Sequence, residues 1–432
     1  MKSSTIKTSS FLFNKVAPKS LSRNILFRVF EKIEIGQLVI EEGNGEKFFF
    51  GNQTSKPEIS AKVQISNPLS YSWMLRKGDL GAAEAYIQGY WQTTDILSVI
   101  QLFARNSNVL SGINENQSFL SKLIGNGLHL FNKNSLSGSR KNIAAHYDLS
   151  NDFFSLFLDP TMAYSSGIFT APEDDLEKSS LNKFKHICQN LQLSEQDHLL
   201  EIGTGWGGLA IYAAKNFGCR VTTTTISEQQ YKLARIKIKE QGLEDKITLL
   251  KKDYRLLSGK YSKLVSVEMI EAVGSQYYSN FFNCCNNLLK DDGLMLIQAI
   301  TISDQRYHQS LKTTDFIKKY IFPGGQLPSN QAITKHLCKD TDMQLINLDD
   351  LTMDYAKTLA CWRHNFLHHL DEIKALGYDQ RFIRMWLYYF SFCEGGFRER
   401  LIHTSQFLCA KPQFRKLKPI PILSHNQHKE VM

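Results

Sequence analysis

No window of this chain approaches the roughly eighteen apolar residues that a membrane-spanning helix needs, and the basic opening stretch MKSSTIKTSSFLFNKVAPKS lacks the apolar core of a secretory signal. The eight cysteines (Cys188, Cys219, Cys284, Cys285, Cys338, Cys361, Cys393 and Cys409) contain no CxxC pair and form no Cys/His cluster at zinc-ligand spacing. A cytoplasmic protein with free thiols and no metal site is expected. Nothing matches GxxxxGK[ST], which argues against a triphosphate-binding loop. No internal repeat, nucleic-acid-reading motif or Arg-rich helix is evident. The net charge of +9, from 51 Lys+Arg against 42 Asp+Glu, therefore suits an anionic membrane surface or solubility better than nucleic acid.

What is present is a chain of 432 residues, 42% hydrophobic, enough for a large core and two or three domains. Residues 36–50 read as a hairpin, because IGQLVI and KFFF flank Gly43-Asn44-Gly45, residues that tolerate positive φ in a tight turn. Segments 75–91 and 95–105 space apolar residues three and four apart, as helices do. Segment 21–33 can lie on a bilayer or pack on its own domain. The polar stretch 132–142, NKNSLSGSRKN, reads as a linker, so an N-terminal domain ends near residue 140. A second domain, 141–412, follows, then a basic tail, 413–432. The basic residues Lys411, Arg415, Lys416 and Lys418 form a solvated run that can also meet anionic lipid.

From residue 198 the pattern alternates between strand and helix. HLLEIG precedes a glycine-rich turn, a helix at 209–216 and a β-branched strand at 221–226, and further strands are expected at 246–250, 263–268 and 293–300. This order implies an α/β, doubly wound, mainly parallel sheet with its ligand site at the carboxyl ends of the strands. The aromatic-rich segment 303–400 reads as a helical cap. The turn Glu201-Ile202-Gly203-Thr204-Gly205-Trp206-Gly207-Gly208 follows a strand and opens a helix, which suits a nucleotide-like cofactor. An NAD site is disfavoured, because the second strand ends in Thr222 to Ser227 and offers no acid to a ribose.

Several blocks now stand in one order: HYDLSNDFF from His146, Met162 to Ser166, LLEIGTGWGG, Thr225-Ile226-Ser227-Glu228-Gln229-Gln230, VEMIEAVG from Val267, YIFPGG from Tyr320, and Cys393 to Arg400. Together they resemble the cyclopropane-fatty-acyl-phospholipid synthase family, which includes mycolic acid cyclopropane synthases. The resemblance covers roughly residues 20–412, and DFIKKYIFPGG is most similar to plant-type and related bacterial members. It implies a Rossmann-like class I S-adenosylmethionine-dependent methyltransferase fold with a helical cap and a smaller α+β accessory domain that presents lipid. The implied substrates are unsaturated phospholipids at the membrane surface, reached by peripheral association, and a homodimer is compatible.

By this resemblance Tyr164, Ser165, Gly203, Gly205, Thr225, Gln230, Asp253 and Tyr254 surround S-adenosyl-L-methionine. Ser166, Glu271, Gln298, Ile300 and Tyr355 match the positions that hold a bicarbonate ion, with Glu271 and Tyr355 orienting it. Cys393 has been an active-site candidate in the family, whereas its own context favours a buried structural thiol. Trp386, Tyr389, Phe390 and Phe397 are candidates for lining the acyl pocket and stabilising a cation. Two positions depart from the common pattern: Ser166 replaces Cys, and Gln298 replaces the His of bacterial and mycobacterial members. If position 166 binds through its backbone, Ser is harmless; if not, methyl transfer would end in a branched or methylene chain. A lipid- and cofactor-binding protein without catalysis is the reading from another class, opposed by retention of Glu271, Tyr355 and the glycine turn.

Overall fold

The computed structural model describes residues 21–52, 57–107 and 149–415. The proposed linker, the boundary near residue 140, the anchors His146, Tyr147 and Asp148, and the basic residues Lys416 and Lys418 lie outside them.

In the N-terminal unit, strands β1 (Gln37–Glu42), β2 (Lys47–Gly51), β3 (Ser60–Ile65) and β4 (Trp91–Gln92) form a sheet in the order β2-β1-β3-β4. β1 and β2 make the expected hairpin, with Gly45 at φ +84° in its turn. The helix expected at 75–91 starts earlier, at Leu69, breaks its helical geometry at Gly78 and ends at Ile87. Trp91 instead pairs with Ile65 in the sheet. The helix Leu21–Phe30 packs on its own unit. Its Arg23 is buried against Glu42 at 2.5 Å, and Leu26 and Phe30 enter the core.

The second sheet holds β5 (His198–Ile202), β6 (Arg220–Thr225), β7 (Ile247–Lys251), β8 (Tyr261–Val267), β9 (Leu289–Ile302), β10 (Gln344–Asp350) and β11 (Ile402–Ala410), in the order β10-β11-β9-β8-β5-β6-β7. β5 to β9 are parallel. Helices Leu176–Asn190 and Gly208–Phe217 share a core with one face, and Tyr278–Leu288 and Asn330–Asp340 with the other. Strand order reverses between β5 and β8, and such a switch point opens a crevice at the carboxyl ends.

Two expectations need correction. The segment 303–400 is not only a helical cap, because β10 lies within it and joins the sheet edge, and β11 follows, antiparallel to both β10 and β9. The polar run His403-Thr404-Ser405-Gln406 hides β11 in the sequence, since a central strand ordinarily reads as an apolar run. The helix Gln380–Arg398 runs on through Gly395 and Gly396. A Cβ at Gly395 would stand 2.6 Å from Ile100 Cγ2, so its absence lets the helix Ile96–Arg105 of the N-terminal unit approach closely. Arg105 and Gln101 bond to Glu399 across the same contact, at 2.8 and 2.6 Å.

Lys411 is also corrected. It is buried and paired with Asp342 at 2.5 Å, so it belongs to the core edge and not to a lipid-facing run. Among the described residues no helix is long and apolar enough to cross a membrane.

Candidate active site

The loop after β5 turns on three glycines with positive φ: Gly203 at +97°, Gly205 at +52° and Gly207 at +91°. A Cβ on Gly205 would meet nothing within 4 Å, so the concave side of this turn is not filled by the protein itself. A close-approaching ligand fits such a cradle. The leading acid, Glu201, is buried. It accepts from Thr223 Oγ1 on β6 at 2.5 Å, and burial pushes its carboxyl up to about 7. At the end of β6 the Thr225 hydroxyl donates to Gln230 Oε1 at 2.8 Å, and both residues are buried. After β7, Asp253 pairs with Arg255 at 2.7 Å, and the Tyr254 ring packs on Phe281 at 5.5 Å.

On the cap side, Tyr164 donates its hydroxyl to that of Tyr389 at 3.0 Å, and its ring lies 5.1 Å from that of Trp362. The Ser165 hydroxyl accepts from Lys183 Nζ at 2.6 Å. Lys183 is fully buried, and desolvation lowers its pKa to about 8 against the opposing charges of Glu268 and Asp159.

The five residues assigned to a bicarbonate ion come together, but around protein carboxylates. Ser166 uses its backbone N–H, which donates to Glu268 Oε1 at 3.0 Å, while its hydroxyl turns to Gly167 O. Gln298 Nε2 donates to the same oxygen at 2.7 Å, and Tyr355 Oη donates to Glu268 Oε2 at 2.7 Å. The fourth donor, Ile300 N, meets Glu271 Oε1 at 2.5 Å, leaving Glu271 Oε2 buried without a protein partner. Burial first, and the neighbouring Glu268 next, push Glu271 up to about 8. A bicarbonate ion needs the donors of Ser166, Gln298 and Tyr355, and all three already converge on Glu268. The residues present do not fit an additional ion there.

Of the two residues expected to orient the ion, Tyr355 donates to Glu268 and Glu271 accepts from Ile300 N. The sequence reading passed over Glu268 and Lys183. A signal existed for each: two acids three apart directly after a strand in VEMIEAVG, and a lysine on the buried helix stripe Leu176, Ser180, Lys183, Ile187.

Aromatic rings close the site. Phe397 stacks on Tyr355 with centroids 4.6 Å apart, and Trp362 approaches the same ring edge-on at 6.0 Å. Trp386, Tyr389 and Phe390 are buried beside Phe154 and Phe157. Burial pushes the Cys393 thiol well above its ordinary range, which suits a structural thiol and not a nucleophile.

Residues 134–407 match the family described as mycolic acid cyclopropane synthetase. The cyclopropane-fatty-acyl-phospholipid synthase of Escherichia coli K12 is 36% identical over 354 residues, covering 81% of this chain and 88% of its own length. The tuberculostearic acid methyltransferase of Mycobacterium tuberculosis is 35% identical over 339 residues, 77% of this chain and 79% of that protein. Among solved structures, a mycolic acid cyclopropane synthase complexed with SAH and CTAB is 29% identical with a TM-score of 0.59, over 63% of this chain and 98% of that one. The glycine turn at the switch point, the sheet order and these relatives agree: this chain belongs to the mycolic acid cyclopropane synthetase family and is an S-adenosylmethionine-dependent methyltransferase.

Proposed function

We propose that the enzyme converts the cis double bond of unsaturated phospholipid acyl chains to a cyclopropane, with S-adenosylmethionine as the one-carbon donor. One observation carries the reading: of the buried carboxylate pair Glu268 and Glu271, Glu268 accepts from Tyr355, whose ring packs with Trp362 and Phe397, and Met269 between the two acids borders Gly203 of the glycine turn. An alkene is a weak nucleophile, and its attack on the sulfonium methyl leaves a carbocation on the acyl chain. Such a reaction requires faces rich in π electrons to stabilise the cation, a base to take a proton, and little water to trap the cation. The site has each of these.

In this reading Gly203 and Gly205 underlie the cofactor's amino-acid part, Thr225 and Gln230 lie near its ribose, Asp253 and Tyr254 near its adenine, and Tyr164 and Ser165 cover it from the cap. The acyl chain enters from a bilayer, so peripheral membrane association is part of the proposal.

A second product class is favoured by one observation, the 35% identity to a tuberculostearic acid methyltransferase. It shares the first step and ends in a methyl-branched or methylene chain.

The test is mass spectrometry of acyl chains after incubating the enzyme with methyl-labelled S-adenosylmethionine and vesicles of cis-unsaturated phospholipid. A gain of one labelled CH2 that resists hydrogenation marks the ring. A gain that hydrogenation converts marks the second product. Bound cofactor with no transfer refutes both.

A further inference from the structure

Glu268 follows β8 in a left-handed backbone conformation, φ +48°, which side chains rarely adopt and which needs support from its surroundings. Its own N–H donates to Gln298 O at 2.8 Å, fixing the turn. That turn delivers the carboxylate to three donors from three distant parts of the chain. Ser166 N and Gln298 Nε2 reach Oε1, and Tyr355 Oη reaches Oε2. Gln298 is itself held, its Oε1 accepting from Gln406 Nε2 at 2.9 Å. A carboxylate and a bicarbonate ion are both planar O–C–O anions recognised by in-plane donors, and three of the four donors assigned by resemblance to the ion hold this side chain.

We propose that Glu268 is the catalytic base, its carboxylate standing in for the bound bicarbonate and making the reaction independent of that ion. The proposal rests on the reading given under Proposed function. The alkene π pair forms a bond to the sulfonium methyl carbon, while the C–S bond breaks and its pair leaves with S-adenosylhomocysteine. The other alkene carbon becomes cationic. A C–H bond of the new methyl group then breaks, its pair closes the ring onto the cationic carbon, and the proton goes to a Glu268 oxygen. In the branched alternative the same oxygen takes a proton so that the pair forms a double bond. The proton passes to water once product leaves.

The neighbouring charges fit this division of roles. Glu271, pushed up to about 8 by burial and by the neighbouring Glu268, keeps its proton near neutral pH. Burial raises Glu268 as well, making its carboxylate a stronger base, and its three donors and the Lys183 charge oppose that rise.

The first test needs no variant: turnover of the wild-type enzyme in carbonate-stripped buffer under inert gas, with bicarbonate then added back. Unchanged turnover is expected, and a bicarbonate-dependent rate would overturn the proposal. The second uses Glu268→Gln and Glu268→Gly, the latter suited to the left-handed backbone. Glu268→Gln is expected to bind S-adenosylmethionine and melt cooperatively while losing about 100-fold in product formation. Glu268→Gly opens a space of carboxylate size with its donors intact, and added bicarbonate or acetate should restore its turnover saturably. Full activity of either variant without added ion would overturn the proposal. If a variant does not fold, the wild-type experiment decides alone. A wild-type enzyme that modifies no acyl chain would refute the underlying reading, a result distinct from bicarbonate dependence.

Discussion

The N-terminal unit and the strand-end site both bury acids, and they treat them in opposite ways. Glu84 is held by Lys77 and Lys319 at 2.5 and 2.6 Å and by the Tyr320 hydroxyl at 3.0 Å. Burial alone would push it up, yet the hydrogen bonds and charges of the two lysines outweigh burial and leave it below its ordinary range. Glu42 likewise has the Arg23 guanidinium and the Tyr71 hydroxyl. At the site, Glu268, Glu271 and Glu201 accept hydrogen bonds from neutral groups, and the nearby cation Lys183 bonds to Ser165. All three acids are pushed up, Glu201 to about 7 and Glu271 to about 8. Paired charges hold parts of the molecule together, whereas carboxylates left to neutral donors keep proton affinities useful near neutral pH.

The sharpest way to break this contrast is at the cradle. Gly203→Val puts a branched side chain at φ +97° in the turn proposed to hold the cofactor, and binding of S-adenosylmethionine by calorimetry should fall by about 100-fold or more with the melting transition retained. Unchanged affinity would separate the cradle from the carboxylates. Tyr355→Phe removes one of three donors to Glu268 and should lower kcat roughly 10- to 100-fold with little change in cofactor affinity. Because that donor holds the Glu268 pKa down, its loss should also move the acid limb of the kcat profile to higher pH.

Glu271 offers a stability test with a definite sign. Its folded pKa is raised, so its contribution is complete below its ordinary value of 4.5 and is lost as pH rises through about 8. Glu271→Gln should therefore match the wild type near pH 4 to 5 and become more stable above pH 8, by on the order of 1–3 kcal/mol in denaturant titrations. A difference independent of pH would contradict the raised proton affinity of Glu271.

The smallest effect is expected in the N-terminal unit. Glu84→Ala should cost about 1–2 kcal/mol, read as a lower Tm, because Lys77 and Lys319 are only partly buried and return to water when unpaired. Since Lys319 and Tyr320 lead directly to Phe322, whose ring stands 6.4 Å from that of Tyr164, a fall in kcat beyond the stability loss would show that the two regions are coupled.

Much of this architecture was legible before any coordinates. The hairpin around Gly43 to Gly45, the five parallel strands and the glycine turn follow from local pattern, because tight turns restrict residue type and buried parallel strands read as apolar runs. β10 and β11 were not, since an edge strand and a strand carrying His403 to Gln406 take their state from partners far along the chain. The helix Leu21–Phe30 was ambiguous for the same reason. Its amphipathic face suits a bilayer or a core, and the ion pair of Arg23 with Glu42 settles it.

From the sequence alone came the family, the cofactor turn and the pool of residues at the strand ends, for these depend on residue type and spacing. Which acid does what was decided only in three dimensions. VEMIEAVG presents two glutamates three residues apart, and nothing local distinguishes them. The left-handed turn at Glu268 aims that carboxylate at donors from residues 166, 298 and 355, while Glu271 receives backbone N–H groups and an adjoining negative charge. A proton affinity is set by burial and by neighbours in space, and those neighbours are brought together by the fold.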